Sequence, residues 1–224
     1  MTRSLIVQLV KKDWYLQRHT IAGGLGGGMV CLLLMSVGGE GMFTAGIIGL
    51  ITVLVTVGCG LTFSTVVSER KDQTLAFVMS LPITAHDYVV AKLIANATIF
   101  LVPWGGLLAA CVGLILIRPG VPHGMIPMAV LTLTEILVGS ALVLTVAIMT
   151  ESETFTVAAL LTGNLALNAV IFMLARVPSI GGTMKSDSLA WSPAALTALG
   201  VEFSIIAALV ALTFFVQGRK TSFL

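Results

Sequence analysis

Six long apolar runs, separated by short polar joints, constrain this chain more than any other feature. They cover residues 21–37, 43–66, 88–117, 125–149, 155–174 and 194–216. A helix of about 20 apolar residues crosses the hydrocarbon core of a bilayer, and these runs lie near or above that length. Backbone polar groups must be satisfied within the lipid, which leaves only helices and closed barrels. A barrel would show weakly alternating segments, and these runs are continuously apolar. The expected fold is therefore all-α: a polytopic membrane protein with about six transmembrane helices. Composition agrees, at 57% hydrophobic and 10% charged residues with mean hydropathy +1.06, against about 25% charged in a soluble domain. A net charge of +2 gives no reason to expect nucleic acid as a partner; membrane lipid is the expected surrounding. No polar stretch is long enough for a separate soluble domain, so residues 1–224 read as a single transmembrane domain.

The placement of Lys and Arg sets the expected orientation. With the N-terminus inside, the inner segments hold Arg3, Lys11, Lys12, Arg18, Arg70, Lys71, Lys92, Arg219 and Lys220, and the outer ones only Arg118, Arg176 and Lys185. Both termini are then cytoplasmic, and a multi-pass protein of the cytoplasmic (inner) membrane is expected. Residues 1–19 lack the charge order and cleavage site of a signal peptide. Leu5, Ile6, Leu9 and Val10 share a helical face, with Trp14 and Tyr15 at the membrane edge. That pattern suits an interfacial helix ahead of the first span. The joints "GGEG" and "RPGVPHG" are tight outer turns, and "TESET" is a very short inner one. Arg176 to Pro193 is the longest outer segment.

One inner joint is unlike the others. "SERKDQTLAFVMSLPITAHDYVVAK", Ser68 to Lys92, opens with four charged residues, Glu69 to Asp72. Asp72 is a plausible N-cap. Leu75, Val78 and Met79 then share a helical face, Phe77 and Leu81 form a second apolar pair four apart, and Pro82 ends the helix. The reading is a short amphipathic helix over 72–81 at the cytoplasmic surface. Its apolar face needs lipid or a protein groove to receive it.

At these residues the chain resembles the first cytoplasmic loop of type-2 ABC exporter permeases. The matching residues are Glu69, Arg70, Thr74, Leu75, Leu81, Pro82 and Lys92. "VKKDWYLQR" near the start and the six-span plan with both ends inside also resemble that family. The chain departs from it at Gln73, where glycine is usual, and at Ala85 to Asp87, where a basic residue is common. The resemblance implies that 72–81 is a coupling helix docking on a separate ATPase subunit. Glu69, Arg70, Leu75, Phe77, Val78, Met79, Leu81 and Pro82 would form the docking face. Glu151 and Glu153 would make a second inner contact. Residues 176–193 would form an outer re-entrant helical hairpin.

The resemblance also implies partners: an ATP-binding-cassette ATPase and a second permease copy or a related permease. ATP and Mg would be bound on the partner ATPase, with no cofactor on this chain. The sequence has no phosphate loop of its own. "QGRKTS" carries Lys220-Thr221, but Arg219 replaces the glycine that would wrap phosphate.

Within the spans, Glu135 is the most informative residue. It sits about 15 Å into its helix at 1.5 Å per residue, near the middle of a core about 30 Å thick. An ionisable group there faces a cavity or a partner. Glu202 lies in the outer third of the last run. Asn164 and Asn168, four apart, share a face. For all four, lining a pathway and bonding across a helix seam are both open. Gly23 to Gly28 allow close helix approach, within the chain or between subunits. Cys31, Cys59 and Cys111 lie in apolar runs without metal-ligand spacing. No zinc-protease or nucleophile-elbow motif is present, so the chain is read as a transport subunit rather than an enzyme. The function expected is the permease subunit of an ABC exporter. The alternative is an ATP-independent ion-coupled carrier or channel using Glu135.

Overall fold

The computed structural model describes residues 2–68, 85–150 and 152–217, and among these the regular structure is entirely helical. Six helices are long and apolar enough to cross a membrane. They are α1 (Thr2–Val37), α2 (Glu40–Thr62), α3 (Ala85–Ile117), α4 (Ile126–Thr150), α5 (Glu153–Arg176) and α6 (Pro193–Gln217). The short joints make chain neighbours antiparallel. The start of α1, the end of α2, the start of α3, the end of α4, the start of α5 and the end of α6 thus share one end of the bundle, here the basal end. The 69–84 segment, which holds the expected coupling helix, lies outside the described residues.

The expected interfacial segment 1–19 is not a separate element. α1 runs unbroken through it to Val37. No proline interrupts residues 2–37, and the glycine run, weak as a helix former, is held by neighbours. Gly24 lies against Val57, and Gly28 against Leu107, so the helix gains packing where it lacks propensity. At 36 residues α1 is about 54 Å long, which exceeds the hydrocarbon core. Its first turns extend past the apolar layer or the helix tilts. Pro103 lies inside α3, which continues through it to Ile117. A proline is tolerated there because neighbouring helices compensate the lost backbone bond, and next to it Trp104 Nε1 donates to the Leu133 carbonyl of α4 at 2.7 Å.

α4 is the hub. It packs against α2, α3, α5 and α6 and is the most enclosed span, whereas α5 and α6 are the least. The main core joins Leu32, Met35, Leu54, Leu61, Ile99, Leu107, Leu133 and Ile136 from α1 to α4. Large apolar side chains on α5 and α6, such as Leu161, Leu165, Phe172, Phe203 and Phe215, point away from the bundle. In water such a surface would be an aggregation liability; in lipid it is the ordinary outer face.

At the opposite end, residues 176–193 do not form a hairpin of helices. They hold one 3-10 turn, Gly182–Lys185, followed by an irregular stretch to Ser192. Pro178, the Gly181-Gly182 pair and the polar run after Lys185 oppose continuous helix. The segment is pinned to the turn before α4, where Gly124 N–H donates to the Ser186 carbonyl at 3.0 Å. A Cβ at Gly124 would overlap the Thr183 carbonyl, so only glycine permits this approach. Arg118 closes the same end by donating to the carbonyls of Met35 and Gly38.

Candidate functional site

Two polar constellations stand inside the apolar bundle. The first is at the base. Asp13 and Lys92 form a salt bridge at 2.8 Å between α1 and α3, with side chains 3% and 4% exposed. Lys12 approaches the other Asp13 oxygen at 3.5 Å. One turn further in, Asn96 donates to the Lys92 carbonyl at 3.0 Å, and Thr65 Oγ1 sits 3.0 Å from Asn96 Oδ1. Gln17 donates to Ser64 at 2.7 Å and accepts from Thr20 at 2.8 Å. Trp14 Nε1 reaches Thr98 at 3.1 Å.

The local sequence accounts for this arrangement. Asp13, Gln17 and Thr20 fall at helical spacing on one face of α1, and Lys92 and Asn96 on one face of α3. Ser64 and Thr65 lie in a π-helical turn, Phe63–Val67, that ends α2. Such turns recur at functional sites because the extra residue redirects side chains. Charges this deeply buried persist only when paired and hydrogen-bonded. The network therefore fixes α1, α2 and α3 to one another where the chain leaves α2 at Ser68 and re-enters at α3. Sequence reasoning missed Asp13 and its pairing with Lys92. The available signal was the i, i+4 recurrence of polar residues in otherwise apolar helices.

The second constellation is at mid-depth. Glu135 lines a cavity of about 20 Å³ with Val55 and Cys59 of α2, Ser140 of α4 and Asn164 of α5. That is room for about one water. Gly139 and Gly163 face each other and let α4 and α5 come close there. Asn164 donates from its side-chain amide to the Leu160 carbonyl of its own helix at 3.0 Å. Asn168 bonds the Asn164 carbonyl at 2.8 Å and is exposed on the outer face of α5. Glu202 is on α6, and its side chain is turned inward at 4% exposure, beside α4.

Of the remaining residues singled out above, Glu153 is exposed in the first turn of α5 at the basal end. Glu69, Arg70, Leu75, Phe77, Val78, Met79, Leu81, Pro82 and Glu151 lie outside the described residues. In the glycine run, Gly24, Gly27 and Gly28 pack against α2 and α3, while Gly23 and Gly26 face open space.

Six apolar spans, one of them largely enclosed by its neighbours, with polar constellations inside the bundle at the base and at mid-depth, describe a polytopic helical membrane protein. Comparison with family models decides which. The model described as "ABC-2 family transporter protein" matches residues 8–218, nearly the whole chain. The chain belongs to the ABC-2 transporter family. It is thus a multi-pass membrane transport subunit of the ABC permease type, and the family generally works with an ATP-binding-cassette ATPase. No curated protein and no solved structure matches it. In an ABC-2 protein the buried base gains a specific meaning, because it holds together the helices on either side of the first basal loop.

Proposed function

We propose that this chain is the permease subunit of an ATP-driven exporter, forming a translocation pathway with a second copy or a related permease. The basal end is cytoplasmic in the inner membrane, as the distribution of Lys and Arg favours. A separate ATPase docks there on the 72–81 helix. Leu75, Phe77, Val78 and Met79 fill its groove, and Glu69 and Arg70 set the orientation by charge pairing at the rim. Glu151 and Glu153, in the second basal joint, lie beside the same subunit. ATP and Mg belong to that partner. The family match across residues 8–218 carries this reading.

The buried base supports it. The docking segment leaves α2 at Ser68 and returns into α3, and the Asp13–Lys92 and Thr65–Asn96 contacts make the two helix ends one body with α1. Force applied to the loop would then move three spans together instead of bending one. ATP binding favours one arrangement of the spans and hydrolysis resets it. On α5, the exposed Asn168, with Ala169 next to it, would offer a polar contact to the second permease.

Co-purification with the ATPase tests the docking. Wild type should bring the ATPase down, and a Leu75→Asp, Val78→Asp variant that reaches the membrane equally well should not. An ATPase that follows both proteins equally contradicts the docking face. One that follows neither contradicts the exporter reading.

A further inference from the structure

At the end away from the base, two spaces adjoin. One is a vestibule of about 370 Å³ between the start of α2 and the joint that leads from α3 to α4, and it holds Glu40, Thr44 and Arg118. The other lies deeper, a slot of about 210 Å³ whose lining is apolar apart from Thr132. Phe43 and Met125 line both, so the two spaces meet at these side chains. α2 and α5 barely touch each other. The slot lies where they part, with the half-buried Ile47 on one side and Ile171 on the other.

The slot has the size and chemistry of a chain site. It follows α2 from Phe43 to Ile51, a rise of about 12 Å, against about 15 Å for half of the hydrocarbon core. An apolar cavity of about 150 Å³ stays dry and takes up benzene, so this larger one suits an apolar guest. Met35, Met125, Met128 and Met184 reach it from four different elements, and such unbranched side chains repack around an irregular guest. The vestibule is charged. Arg118 donates to the carbonyls of Met35 and Gly38, which leaves other N–H groups of its five without a hydrogen bond among the described residues. Glu40, exposed in the first turn of α2, lines the same vestibule. Among the described residues no ion pair joins it to Arg118. Opposite charges that share a vestibule without meeting leave room for a group that carries both. Pro119 and Pro122 fix φ in its wall, and Gly120 turns between them at φ 84. A wall set in advance lowers the cost of binding.

We propose that vestibule and slot together bind one phospholipid of the adjoining leaflet, of the kind whose head carries both a phosphate and an ammonium group. The phosphate lies on Arg118, whose planar guanidinium suits it. The ammonium lies on Glu40. One acyl chain passes Phe43 and Met125 into the slot, and the second stays in the bilayer on the open side between α2 and α5. A headgroup belongs at this level, because Glu40 begins α2 and Arg118 directly follows α3, where the apolar runs give way to the joints. The slot alone would accept any alkyl chain, and the two charges select the head. The site stands apart from the exporter reading, since a resident lipid requires neither ATP nor a partner chain.

The test is native mass spectrometry of the delipidated chain in detergent. It is titrated with phosphatidylethanolamine, with phosphatidylglycerol, which has the phosphate but no ammonium, with hexadecanol and with inorganic phosphate. Wild type should hold one phosphatidylethanolamine, about tenfold more tightly than phosphatidylglycerol. Glu40→Gln should abolish that preference. Arg118→Gln should weaken both phospholipids about tenfold or more. Arg176→Gln removes a cation at the same end but outside both spaces, and should bind as wild type does. Arg118 also ties down the end of α1, so Glu40→Gln, at an exposed position, carries the test if Arg118→Gln fails to fold. Equal binding of the two phospholipids by wild type would overturn the assignment of the head, and so would an equal loss in Arg176→Gln. Inorganic phosphate bound as tightly as the phospholipid would make this an anion site, and hexadecanol bound as tightly would make it a plain alkyl groove. Either would overturn the proposal, as would a wild type that takes up no phospholipid.

Discussion

Lys92 decides much of how the base is built. Its ammonium is 2.8 Å from Asp13 and almost wholly enclosed. Taking both charges out of water is costly, and their attraction offsets that cost only while both are present. Lys92→Met would leave Asp13 enclosed with Lys12 alone, 3.5 Å away and half outside. The expected loss is about 3 kcal/mol, the low side of the range for breaking a buried pair. Asp13→Asn combined with Lys92→Met removes both charges and should restore most of it. Thermal unfolding of the four proteins in detergent forms a double-mutant cycle. Losses that simply add would show that the two charges do not act as a pair.

Among the elements, α1 and α2 show how small residues set helix spacing. Gly46 of α2 faces the backbone of α1. A Cβ there would stand 2.7 Å from the Cys31 carbonyl oxygen, which cannot rotate aside as a side chain can. Gly46→Ala should therefore push the helices apart and cost about 1–3 kcal/mol, the usual penalty of overpacking. Gly26→Ala, which meets nothing within 4 Å, should leave the unfolding midpoint unchanged or raised. Equal effects of the two would refute this close approach. The same elements show what the sequence makes legible. Six spans follow from apolar length alone, because lipid admits little else. The unbroken α1 does not, since its continuity through residues 19 to 28 rests on Val57 and Leu107, which are distant in sequence. The outer segment misled for a related reason: its resemblance implied a helical hairpin, while Pro178 and the paired glycines permit only a short turn. Glu135 was legible as a lone charge in an apolar run. Its place beside Asn164 was not, because the close approach of α4 to α5 rests on Gly139 and Gly163, which read alone as ordinary span residues.

At the scale of the whole molecule, polar groups are rationed. The basal end carries the buried ion pair, the middle carries two carboxyls and a water-sized cavity, and the outward faces of α5 and α6 carry most of their large apolar side chains. This distribution suits a subunit that receives force at one end and rearranges around its middle. The central claim is that a separate ATPase supplies the force through the first basal loop. The most direct measurement is ATP hydrolysis by that ATPase in proteoliposomes, with this chain, without it, and with the Leu75→Asp, Val78→Asp variant. The account predicts a rate that changes when the wild-type chain is present and returns to the free-ATPase value with the variant. A rate that is the same in all three would contradict it.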